Sequence, residues 1–119
     1  MEHGPLSVES IQNLARAAEA KGIEVVVRVT ENKPANILRV LDVGVHSIQV
    51  PQVSTKEDAQ EVVKSSYFHP QGERGMCRYV RAADYTNTDK QTYFSSAESD
   101  TLTIVHIEGL VGIENLAEI

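Results

Sequence analysis

Along this chain, short β-branched runs alternate with stretches in which apolar positions recur every three or four residues. That alternation predicts strands and helices in turn. Ser7 to Lys21 reads as a helix, with Ser7 placed to cap the first turn and Gly22 as a stop. Ile11, Leu14, Ala15 and Ala18 would share its apolar face. Glu24 to Val29 is nearly continuous in valine, as strands covered on both faces are. Pro34 suits a first helical turn, and Ile37, Leu38, Val40 and Leu41 give the next helix its stripe before Gly44 ends it. Val45 to Val50 is a second strand, closed by Pro51. Ser54 with Glu57 predicts a capping box for a third helix running to about Ser66.

From Tyr67 to Asp100 the pattern loosens. His69-Pro70-Gln71-Gly72 and Arg74-Gly75 mark a loop, and only a weak helix near 91–95 is predicted. Thr101 to Glu108 is a strand, and a helix opens at Gly112. Strand and helix in alternation imply parallel strands joined by crossover helices, an α/β chain. A (β/α)8 TIM barrel takes about 250 residues. The expectation is therefore a partial barrel, roughly half of one, with residues 1–119 a segment truncated at both ends.

Composition narrows the function. Eleven Lys and Arg against seventeen Asp and Glu give a net charge of −6, which argues against a nucleic-acid partner that needs a basic face. No apolar run is long enough to cross a membrane, and the first residues lack the basic-then-apolar pattern of a signal peptide. Cys77 is the one cysteine, so no internal disulfide forms and a cytoplasmic setting is expected.

Glu2-His3-Gly4-Pro5, Val26-Val27-Arg28-Val29, Leu41-Asp42-Val43-Gly44, Val50-Pro51-Gln52-Val53 and Gly72-Glu73-Arg74-Gly75 occur in that order, and Ile107-Glu108 closes a strand. Together they resemble the HpcH/HpaI aldolase family, which includes 2-dehydro-3-deoxyglucarate aldolases and, more distantly, citrate lyase beta subunits. The resemblance covers essentially the whole chain. It implies a metal-dependent class II pyruvate aldolase that reversibly cleaves 4-hydroxy-2-oxo acids to pyruvate and an aldehyde. Rival readings are a citrate-lyase-like enzyme acting on acyl-CoA thioesters and a non-catalytic barrel fragment.

The resemblance assigns roles residue by residue. Glu108 becomes a ligand of a divalent metal, Mg2+ or Mn2+, cations that favour oxygen donors. Arg28 binds the carboxylate end of the small-molecule 2-oxo acid, where its planar fork suits two parallel hydrogen bonds. His3 becomes the base that takes the 4-hydroxyl proton. Asp42 is paired with that histidine in the family. A barrel helix runs back from the catalytic rim, so Asp42 is expected to act across a subunit interface of a homo-oligomer, orienting His3 of a neighbour. An acid at a helix C-terminus is also unfavourable and needs compensation from outside. His106 stands where the family usually has Gln; it shares the strand face of Glu108 and is a substrate contact or a supporting metal ligand. The family's further carboxylates would fall before Met1 and after Ile119.

The residues alone also allow plainer readings. Glu108 could be a solvated acid at a helix entry, Arg28 a strand-end arginine reaching water or Glu2, and Asp42 a helix-surface acid. His106 could be a hydrogen-bonded core histidine. Arg74, Arg78 and Arg81 read as a surface basic cluster, whereas the resemblance implies that Arg74 and Gly75 belong to a loop over the site. His46 and His69 read as structural, and Cys77 as a passive thiol.

Overall fold

Ser7 holds an extended backbone and its hydroxyl accepts from the Ser10 N–H, so helix α1 (Val8–Glu19) starts where the cap predicts. The computed structural model describes residues 3–119; Glu2 of the Glu2-His3 pair lies outside the described residues. Ile11 and Ala15 are buried, whereas Leu14, expected on the same face, is 54% exposed. Strand β1 (Val26–Arg28) follows, then α2 (Pro34–Asp42) with its proline in the first turn and Ile37, Val40 and Leu41 buried. Gly44 takes φ +85°, a left-handed turn that glycine makes without strain, and leads into β2 (Ser47–Val53). Helix α3 (Lys56–Ser66), α4 (Lys90–Asp100), β3 (Leu102–Ile107) and α5 (Leu110–Glu114) complete the order, with a 3-10 segment at Arg81–Thr86.

The sheet runs β1-β2-β3 and both pairings are parallel. Val27 pairs with Ile48 and Ile48 with Thr103, which fixes the register across the sheet. Val27, Ile48 and Val50 point into one core with Ile11, Ile37, Val40, Leu41 and Val62. Each such side chain contributes about 1.5–3 kcal/mol through burial. Alternation places Val26, Arg28, Gln49, Leu102, Ile104 and His106 on the other face. That face is partly open: Val26 and Leu102 are half-exposed.

Four local expectations need correction. The second strand does not stop at Pro51 but runs on to Val53, with its register shifted between Val50 and Val53. A proline removes one ladder donor, which the irregularity accommodates. The capping box of α3 is one residue later than expected: Thr55 accepts from the Asp58 N–H, and Asp58 accepts from the Thr55 N–H. Helix α4 is a full eleven-residue helix, longer than the weak one expected near 91–95. It packs Tyr93 with Phe68 and Ala83 in a second, smaller core, where the Phe68 ring meets Tyr93 and Phe94 edge-on. The last helix begins at Leu110, with Gly112 inside it; a Cβ there would lie 2.9 Å from Ile107 Cγ2 and 3.3 Å from the Val53 carbonyl.

Candidate active site

Arg28 is the last residue of β1 and Glu108 the first beyond β3, so parallel strands carry both to the same end of the sheet. The Arg28 guanidinium donates from Nη2 to Glu108 Oε1 at 3.0 Å. The Gln52 backbone N–H donates to Glu108 Oε2, also at 3.0 Å. Gln52 reaches that position with φ +57°, a left-handed conformation that is uncommon and costly for a residue with a side chain. Strain of this kind gathers where a backbone group must be aimed, and here an N–H is aimed at a carboxylate.

Those contacts set the charge on Glu108. Partial desolvation pushes its carboxyl upward. The Gln52 N–H, the charge and hydrogen bond of Arg28, and the neighbouring His106 together outweigh that push and hold it below the usual glutamate range. Glu108 is therefore an ionised acceptor at neutral pH, with 39% of its side chain open to solvent.

His106 lies two residues before it on the same strand face. Its Nε2 is hydrogen-bonded to Gln49 Nε2 on β2, and its Nδ1 stands 3.7 Å from Glu108 Oε1. That Nδ1 is buried and makes no hydrogen bond among the described residues.

The remaining predicted residues lie elsewhere on the chain. His3 sits in an exposed turn ahead of α1. Asp42 closes α2, whose N-terminus follows Arg28 and whose C-terminus precedes β2, so it belongs to the opposite end of the strands. Part of the compensation it needs comes from within the chain. Arg74 donates from Nη2 to Asp42 Oδ1 at 2.9 Å, and its guanidinium lies 4.7 Å above the Phe68 ring. Arg74 is 8% exposed, which corrects its reading as a surface charge. Two members of the site were missed by the sequence reading. The Gln52 N–H is a backbone group; the motif Val50-Pro51-Gln52-Val53 marked its place but not its role. Gln49 was legible as an amide amid Ile48 and Val50, but nothing local gave its partner.

A cleft of about 580 Å³ opens at the other end of the sheet, lined by Glu19, Glu24, Val25, Val45, His46 and Asp100. None of the converging side chains reaches it. In parallel α/β folds chemistry belongs to the carboxyl ends of the strands.

A model of the HpcH/HpaI aldolase/citrate lyase family matches residues 1–119. The chain belongs to this family. A 2-keto-3-deoxy-L-rhamnonate aldolase of Salmonella gallinarum is 33% identical over 116 residues, which cover 97% of this chain and 43% of that protein. The crystal structure of an HpcH/HpaI aldolase/citrate lyase family protein from Burkholderia cenocepacia superposes with a TM-score of 0.91 at 30% identity, over 100% of this chain and 48% of that one. A citrate synthase structure gives a TM-score of 0.86 at 31% identity, over 100% of this chain and 44% of that one. The chain spans less than half the length of these relatives. The fold is thus the α/β fold of HpcH/HpaI aldolases.

The family's aldolases are generally dependent on a divalent metal. Glu108 fits as one ligand: it is ionised, partly exposed, and has one oxygen held by a backbone N–H. Among the described residues no three His, Cys, Asp or Glu side chains gather into a fuller metal-binding group. No described helix is long and apolar enough to cross a membrane.

Proposed function

We propose that this chain forms part of the (β/α)8 barrel of a cytoplasmic class II pyruvate aldolase, a carbon–carbon lyase that reversibly cleaves 4-hydroxy-2-oxo acids. The observation that carries the reading is the convergence of Arg28, the Gln52 N–H and Glu108 at the carboxyl ends of neighbouring parallel strands. A cation and an anion there match the two ends of a 2-oxo acid bound to a divalent ion.

Arg28 offers guanidinium N–H groups to the substrate carboxylate and fixes its orientation. Glu108 would hold Mg2+ or Mn2+ by an oxygen. When bound, such an ion supplies a positive centre for the oxygens of the 2-oxo acid and for the negative charge that develops during cleavage. His3 takes the proton of the 4-hydroxyl. As that O–H bond opens, the new carbonyl of the aldehyde forms and the C3–C4 bond breaks. Its electron pair passes into the pyruvate enolate, which a proton then converts to pyruvate. Asp42, from a neighbouring subunit of a homo-oligomer, orients His3. His106 lines the floor between the strands and meets the substrate or supports Glu108.

In the complete protein, Glu108→Gln is expected to lower metal-dependent pyruvate release by at least about a hundredfold, since even outer partners of metal ligands cost about 10–100-fold. Release at the wild-type rate from a 4-hydroxy-2-oxo acid would overturn the role of Glu108. The likeness to a citrate synthase supports a second reading, a lyase or synthase working on a thioester. Turnover only with acyl-CoA substrates would favour it.

A further inference from the structure

Gln49 has no place in the mechanism above, yet it is the hydrogen-bonding partner of His106 on the face that carries Arg28 and Glu108. Glutamine in the middle of a valine- and isoleucine-rich strand costs desolvation unless its amide is satisfied. Its Nε2 is a donor, so the His106 Nε2 that faces it must present a lone pair. The single ring proton of the neutral imidazole is then on Nδ1. A second observation reaches the same tautomer independently. Nδ1 is buried, makes no hydrogen bond among the described residues, and faces the ionised Glu108 Oε1 at 3.7 Å. A lone pair pointed at a carboxylate would repel it; an N–H is attracted.

We propose that Gln49 is a positioning residue: it fixes His106 as the Nδ1–H tautomer, so that the imidazole braces the Glu108 carboxylate from below. The carboxylate is then held from three sides, by Arg28 on Oε1, by the Gln52 N–H on Oε2, and by the His106 Nδ1–H approaching Oε1. Hydrogen-bonded and charged neighbours fix the orientation of metal-binding carboxylates. The role deepens the aldolase reading and rests on it only where metal is concerned.

Two measurements on the complete protein test it. The first is long-range proton–nitrogen NMR of the histidine rings, recorded well above the ordinary imidazole pKa of about 6.5. His106, assigned by its loss in His106→Gln, should show a protonated Nδ1 and an unprotonated Nε2. Gln49→Leu should shift it toward the Nε2–H form. The second is Mn2+ affinity by calorimetry, which should fall about tenfold in Gln49→Leu. Wild-type His106 found as Nε2–H would overturn the proposal, since Gln49 would then accept through its oxygen and Nδ1 would carry a lone pair. A tautomer unmoved by Gln49→Leu, or one that moves with Mn2+ affinity unchanged, would also overturn it. If wild type binds no Mn2+ while the tautomer still follows Gln49, the hold of Gln49 on His106 is supported and the metal-dependent reading fails instead.

Discussion

Arg74 is buried, with its guanidinium on Asp42 at 2.9 Å and 4.7 Å above the Phe68 ring. It joins the end of α2 to the smaller aromatic core. Arg74→Ala would leave Asp42 at a helix C-terminus without its cation and would empty the space over Phe68. The expected loss is about 3 kcal/mol, the low end for breaking a buried pair because Asp42 keeps some solvent contact. Urea unfolding measures it; a loss below about 1 kcal/mol would show the pair to be worth no more than a surface bridge. At this scale the sequence showed which chemistry was present but not which partners it had. Arg28 stood out as a charge amid valines, and Glu108 as an acid at a strand end. Their contact across 80 residues is a product of parallel pairing. Arg74 read as one of several surface arginines, because nothing in Glu73-Arg74-Gly75 reports burial.

Helix α4 shows the limits of periodicity. Its apolar residues, Tyr93, Phe94 and Ala97, do not recur on a broad stripe, so the pattern gave only a weak helix. Its start is nonetheless well fixed. Asp89 Oδ1 accepts from the N–H groups of Gln91 and Thr92. The Thr92 side chain and N–H, with Gln91 and the charge of Arg78, hold the Asp89 carboxyl below its ordinary value of 3.8 against an opposing desolvation. A carboxyl depressed in the folded state adds stability above its unfolded pKa and loses it as pH falls through the folded value. Asp89→Asn keeps a good cap but removes the charge. Wild type should therefore be more stable than Asp89→Asn at neutral pH, and the difference should vanish in acid well below pH 3.8. Thermal unfolding of both across that range checks it; a gap that persists in acid would contradict the charged cap. In β2 the opposite happened. A strong local signal, Pro51, suggested an end to the strand, while the pairing of Val53 with Ile107 carried it further.

In the whole molecule the described sheet has β1 and β3 at its edges and one face partly open. Val26 and Leu102 are half-exposed on that face, and Leu110, Val111, Ile113 and Leu116 are exposed around α5. Unpaired parallel edges beside apolar surface invite association. The 119-residue chain by itself is expected to associate at micromolar concentration, read by sedimentation velocity. A monodisperse monomer would show that these edges and faces are stable in water, and would count against the half-barrel reading.

The sequence by itself determined the order of strands and helices, the Ser7 cap and the glycine stops, the buried stripe of α2, and the identity of the charged residues at the strand ends. Those features are set by neighbours a few residues away, through periodicity, capping and turn chemistry. Tertiary structure alone decided that Arg28 and the Gln52 N–H both hold Glu108, that Gln49 faces His106, and that Arg74 is sealed against Asp42 and Phe68. The hydrogen-bonded pairs among these join residues far apart in the chain, and only the register of parallel strands or the packing of the end of α2 against the loop after α3 brings them within reach.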